Sequence, residues 1–228
     1  MSRRLIVPAT LLSLLGILSC EKSEVVSPVP GVSPASEIAG TIVGWNLGDS
    51  MAISASASPG YVIAAGAVRH DGTFALSLAQ PTAAALWTVT GPYDTLSDTT
   101  ARVATFIGLT ISEPEQSVQY VAQNQLRVSP ETFASGDAIV EYVYTTRQLR
   151  WKRVPVPGLS SEESFELRLQ AGWNRIIWRE TGTPSHPVAT ASRADGVVVP
   201  TWYIIGRLPH SQENDWWKSH SLSPGFVR

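Results

Sequence analysis

Few residues in this chain are of a type that can do chemistry, and one of them stands apart. Cys20 is the only cysteine among 228 residues. It has no intrachain disulfide partner, and an unpaired thiol in an oxidising compartment is a liability unless it is modified. Its position suggests what the modification is for. Arg3 and Arg4 open the chain, an apolar run from Leu5 to Leu18 follows, and Ile17-Leu18-Ser19-Cys20 closes it. A positive start followed by a short greasy segment is the layout of a secretory signal. A membrane span needs roughly 20 apolar residues. This run is shorter and holds Pro8, Thr10 and Ser13, so a cleaved leader is expected rather than a retained anchor.

The other reactive types do not form a constellation. His70, His186, His210 and His220 sit in turn-like or C-terminal contexts, and none has the i, i+4 spacing of a helical zinc site. No G-x-S-x-G marks a nucleophile elbow. Ser160 and Ser161, beside Glu162 and Glu163, read as a solvated turn. Asp94 and Asp98 share one loop and could help hold calcium, but the glycine and bidentate glutamate of a 12-residue calcium loop are missing. They read better as solvated loop acids. Glu113 and Glu115 flank Pro114 in a turn. A glycosidase pair would draw its two carboxylates from distant strands, and nothing marks one. The expectation is a protein without enzymatic activity, metal or cofactor, with an envelope hydrolase as the remote alternative.

Aromatic residues are the surplus. Of eight tryptophans, Trp151, Trp173, Trp178, Trp202, Trp216 and Trp217 lie in the C-terminal half. Tryptophans fill β cores, where each buries a large area, but exposed ones can form a binding patch and stack on sugar rings. Trp178 alternates with Ile176 and is predicted to be core. Trp173, at a turn, and Trp216 and Trp217, near the C-terminus, are predicted to turn a face outward and are the candidate ligand-binding residues. Arg147, Arg150, Lys152 and Arg153 cluster around Trp151 and read either as a solvated strand end or as a contact for an anionic envelope polymer.

The elements that would carry these residues are mostly strands. Met51 to Ser58 alternates Ile53, Ala55 and Ala57 with serines, and Phe74, Leu76 and Leu78 alternate with smaller residues. Asp71-Gly72 between that strand and Tyr61–Val68 is a strong hairpin signal. Phe165, Leu167 and Leu169 alternate with Glu166, Arg168 and Gln170, and the turn Ala171-Gly172-Trp173-Asn174 leads into Arg175–Arg179. Pro200, inside the run Val197–Ile205, predicts an edge strand or a bulge. Pro81–Leu86 suits one or two helical turns, and Ser211–Lys218 a short capped helix. Strands at this spacing predict an antiparallel β-sandwich or barrel.

Composition agrees with export. Charged residues make up 16% of the chain. Removing residues 1–19 takes Arg3 and Arg4 from the 17 basic residues and nothing from the 19 acidic ones, leaving 15 against 19 and a net charge of −4. A nucleic-acid partner needs a basic stripe, so none is expected. Residues 20–36 hold Pro28, Pro30 and Pro34 among serines, which favours an extended tether. Residues 37–228 remain for the β-rich domain. It is read as one continuous unit, with Gly91–Thr100 as the place where it would subdivide.

Two resemblances follow from these residues. Ile17-Leu18-Ser19-Cys20 resembles the lipobox of bacterial lipoprotein precursors, although Ile17 and Leu18 stand where leucine and a small residue are usual. Gly40-Thr-Ile-Val-Gly-Trp45, with Ala65–Leu78 and Leu169–Asn174, is similar to uncharacterised bacterial envelope lipoproteins. More loosely, it resembles carboxypeptidase-regulatory-like (transthyretin-like) modules, in which a G-x-V strand leads to a D-G-x-F-x-L hairpin. The lipobox resemblance implies cleavage before Cys20 and acylation of its sulfur. Several acyl chains, at about 0.8 kcal/mol per buried methylene, make the anchor permanent. The module resemblance implies an Ig-like or transthyretin-like β-sandwich outside the cytoplasm, with no catalytic residues to carry over. The expected protein is a lipid-anchored binding or structural module of the cell envelope, whose partners are the bilayer and either a cell-wall glycan or another envelope protein. Glu21, in place of the aspartate that retains many lipoproteins at the inner membrane, tilts the placement to an outer membrane where there is one. The alternative is a carbohydrate-binding protein that uses exposed tryptophans.

Overall fold

The structure is a computed structural model. It describes residues 35–47, 51–57, 60–106, 108–112, 118–127, 136–157, 162–183, 186–194 and 201–209. By internal contacts the chain divides into Met1–Pro30, outside the described residues, and Gly31–Arg228.

The described residues of the second unit are nearly all β. Its strands are β1 Glu37–Ile42, β2 Met51–Ala57, β3 Tyr61–Val68, β4 Thr73–Ser77, β5 Asp94–Leu96, β6 Val103–Phe106, β7 Leu109–Ser112 and β8 Val118–Leu126. They continue as β9 Ala138–Thr145, β10 Leu149–Arg153, β11 Glu162–Leu169, β12 Gly172–Thr183, β13 His186–Arg193 and β14 Thr201–Pro209. The helix predicted at Pro81–Leu86 is a single 3-10 turn at Ala83–Ala85. The one predicted at Ser211–Lys218 lies outside the described residues. No helix among the described residues is long and apolar enough to cross a membrane.

All the strands belong to one mixed sheet that is not closed. One half runs β3-β2-β7-β8-β14-β1-β4. The other runs β9-β12-β13-β11-β10-β5, with β6 along the free side of β9. β8 joins them: Gln119–Ala122 pair with β7, and Gln125 and Leu126 pair with β9. The expectation of a purely antiparallel sheet is corrected, because β1 with β14 and β11 with β13 are parallel. Both parallel pairs join strands separated by other elements, which a tight turn cannot do.

Several local readings hold. β2 buries Met51, Ile53, Ala55 and Ala57 on one face, and β4 buries Phe74 and Leu76. The Asp71-Gly72 turn forms, with the Thr73 amide donating to Asp71 Oδ1 at 3.0 Å. Gly72 has φ +79°, and a β-carbon there would press on Trp45 and on the Ile42 carbonyl, so glycine is required. Beyond the turn, β3 and β4 part. β4 pairs with β1 instead. Of the strand predicted after Asp195-Gly196, residues 195–200 lie outside the described residues and the part from Thr201 is described, as β14. It is not an edge, since β1 and β8 flank it, but it does carry a bulge between Ile204 and Gly206.

Two hydrophobic cores result. The first collects Ile38, Ile42, Ile53, Leu76, Phe106, Leu109, Ile111 and Trp202. The second collects Val103, Leu149, Trp151, Phe165, Leu167, Leu169, Ile176 and Trp178. β9 is the wall between them. Val140, Tyr142 and Tyr144 enter the first core, and Ile139 and Val143 the second. All eight residues of β9 are therefore buried, and its sequence shows no polar alternation. β12 repeats the arrangement, with Trp173 in the first core and Ile176 and Trp178 in the second.

Candidate functional site

The chemistry-bearing side chains that the fold brings together lie on β5, β9, β10 and β11. In β10, Leu149, Trp151 and Arg153 point inward while Arg150 and Lys152 point out. Strand parity therefore drives a guanidinium into the second core, and register supplies its partners. Asp94 of β5 pairs with Arg153 on one side, and Phe165 of β11 on the other.

Arg153 Nε donates to Asp94 Oδ1 and Nη2 to Oδ2, both at 2.8 Å. Nη1 reaches Glu163 Oε2 at 3.2 Å. The indole of Trp151 donates to Asp94 Oδ1 at 2.8 Å. Both members of the Arg153–Asp94 pair are almost wholly buried, with side chains 5% and 4% exposed. The guanidinium also lies 5.5 Å from the Phe165 ring centroid and 5.8 Å from that of Trp151. Desolvation works against the charge on Arg153. The Asp94 hydrogen bonds and the Glu163 and Asp94 charges outweigh it and hold its pKa above the ordinary value. Gly91 completes the fit, because a β-carbon there would collide with the Asp94 carboxylate.

Glu141, on the second-core face of β9, has no such cation among the described residues. Burial pushes its pKa up to about 8, the neighbouring Trp178 indole opposes the shift, and the Glu163 charge adds to it. Glu141 therefore stays neutral at pH 7. A neutral buried acid is a group acid–base catalysis can use, but Glu141 is 5% exposed and faces the packed interior. The arrangement clamps the edge strand β5 to β10 and β11.

The residues singled out from sequence fare differently. Trp173 is corrected: it is 4% exposed, packs edge-on against Tyr144 at 5.4 Å, and its indole donates to the Ala79 carbonyl. Its side chain enters the first core instead of facing outward. Trp178 is core, as its alternation predicts. Trp216, Trp217 and Cys20 lie outside the described residues. All six described tryptophans lie in or against a core.

Asp94 and Arg153, read as solvated, are interior. Asp98 remains in a turn, accepting from the Thr100 amide at 2.8 Å and hydroxyl at 2.6 Å, bonds that hold its pKa below the usual carboxylate value. Arg147 lies 3.6 Å from it. His70 is exposed at the β3–β4 turn, while His210 and His220 lie outside the described residues. No cluster of three His, Cys, Asp or Glu suited to a metal occurs among the described residues. The ionic cluster was missed from sequence, although Arg153 shares the parity of Leu149 and Trp151 in Leu-Arg-Trp-Lys-Arg.

No family model, no curated protein and no solved structure matches this chain.

Proposed function

We propose that this protein is a lipid-anchored, extracytoplasmic module of the bacterial cell envelope that binds or organises rather than catalyses. Its β strands would form a sandwich of Ig-like or transthyretin-like type. One observation carries the reading: Cys20 ends the apolar run behind Arg3 and Arg4 and is followed by a proline-rich stretch to Ser36. Acylation there would supply all the membrane affinity the chain needs. The non-catalytic part draws support from the interior. The carboxylates best suited to acid–base work, Asp94 and Glu141, are committed to packing and ion pairing.

Metabolic labelling of the expressed full chain with radioactive palmitate tests the anchor. Label should enter the wild type and be absent from Cys20→Ser, which should also leave the detergent phase on phase partitioning. Absence of label from the wild type, or unchanged partitioning of the variant, overturns the reading.

A further inference from the structure

The second core closes over a carboxylic acid that the Arg153 clamp does not hold. Glu141 is buried and shares a face of β9 with Ile139 and Val143. It stands opposite Ile176 of β12. Trp178, two residues further along β12, is therefore its diagonal neighbour, within reach of a long side chain. From Trp178 a line of rings leads to the clamp. Trp178 meets Phe165 edge-on at 5.4 Å, and Phe165 meets Trp151 at 5.2 Å. The guanidinium of Arg153 lies over Phe165 and binds Asp94. Packed side chains thus run without a break from the acid on β9 to the edge strand β5.

The groups around Glu141 favour its neutral form. Glu163 of β11 repels a charge there. The cation beside Glu163 is committed, because Arg153 gives two hydrogen bonds to Asp94 and one to Glu163. On β12, Ile176 and Trp178 carry no charge, and β6 brings Val103 and Thr105. On β8, Gln125 stands opposite Ile139, and Arg127 bonds to Gln125 and lies over the Tyr203 ring. Asp137, four residues before Glu141, is a further buried acid. On β13, Ala191 faces the core. Arg193 is in register with Ile176, and its side chain is outside the described ones.

We propose that Glu141 is a proton-held latch: while it keeps its proton the corner made by β5, β10 and β11 stays shut, and its ionisation opens that corner to water. A carboxylate buried without a counter-charge is costly. The ionised group therefore moves towards water or draws in the Trp178 indole N–H as a donor to its charge. Either movement disturbs the ring that packs against Phe165, and through Phe165 the seat of Arg153. The corner is where this core can yield, since the Glu163 side chain is 18% exposed and β5 is a three-residue edge strand. The latch does not depend on the anchor at Cys20.

Hydrogen exchange of the full chain in mild detergent, followed from about pH 6 to about pH 9 and corrected for the intrinsic exchange rate, tests the latch. The opening equilibrium at Asp94–Leu96 should rise about tenfold per pH unit at the acid end, because the open form releases one proton. It should level off near pH 8, where Glu141 ionises in the folded chain as well. Opening there should be at least about tenfold more frequent than at Met51–Ala57 of β2, which separates a local event from global unfolding. In Glu141→Gln, which keeps the size of the side chain, the pH slope at β5 should vanish. In Glu163→Gln the levelling-off should move to lower pH, since a like charge is gone. A flat profile in the wild type overturns the proposal. So does a slope that survives in Glu141→Gln, or opening at β5 no more frequent than at β2.

Discussion

The two cores meet the same packing demand with different chemistry. The first buries Ile38, Leu109, Ile111 and Trp202 at 1% exposure or less and is held by shape, with Phe74 and Phe106 set around Trp202 at 5.5 and 6.4 Å. The second is as tightly filled at Trp151 and Leu167, yet it takes in a guanidinium, two carboxylates that answer it and a neutral acid. The difference follows from what each must hold. In the first half β1, β2, β7, β8 and β14 each have neighbours on both sides. The second ends at β5, a three-residue strand too short to be kept by its ladder alone. Asp94 fastens that strand from within. Burying an ion pair seldom adds net stability over apolar packing, but removing one member is costly.

Breaking that clamp should give the largest effect. Arg153→Met leaves Asp94 buried without its cation and should lower unfolding free energy by about 3–5 kcal/mol. The double variant Arg153→Met/Asp94→Leu should recover most of that. Urea denaturation of both variants measures the comparison, and a single variant as stable as the wild type would show that the clamp does not matter. Trp202→Ala in the first core should cost a similar 3–5 kcal/mol, but no second substitution of a charged residue should rescue it.

The neutral acid gives the next effect, and its sign is fixed. Below about pH 4.5, the ordinary carboxylate value, Glu141 is protonated folded or unfolded and contributes nothing to pH dependence. As pH rises from there towards about 8, the unfolded chain ionises while the folded chain holds the proton, so stability is lost; above that range the loss levels off. Glu141→Gln should abolish this slope and gain roughly 3 kcal/mol at pH 7, a shift visible in melting curves across pH. Gly91→Ala should displace Asp94 and cost about 1–3 kcal/mol. The smallest change belongs to the first half of the sheet. Thr110 is 3% exposed and its hydroxyl oxygen has no hydrogen-bond partner among the described residues, so Thr110→Val should raise stability by up to about 1 kcal/mol.

Strands whose two faces differ were legible in the sequence. Met51–Ala57, Phe74–Leu76 and Phe165–Leu169 each write their burial as a period of two, and Asp71-Gly72 marks its own turn. β9 was not legible, because Ala138–Thr145 is covered on both faces and its alternation vanishes. Partners distant in sequence were equally hidden: nothing near Arg153 points to Asp94, 59 residues away. The orientation of Trp173 depends on a carbonyl 94 residues earlier. Parity alone could have placed Arg153 inside, had the alternation been trusted over the habit of reading arginine as solvent-facing. The basic cluster was half legible. Arg150 and Lys152 point outward from β10, whereas Arg153 turns into the second core.

The seating of β1 has a consequence for how the molecule is made. This opening strand lies between β4 and β14, with Thr41 beside Thr201 and Ile42 beside Trp202. One flank of the first strand thus waits for a segment synthesised some 160 residues later. Contacts of such long range form late and slow the closing of a β topology. Until β14 has been made and has folded in, the β1 side of the sheet lacks that fastening.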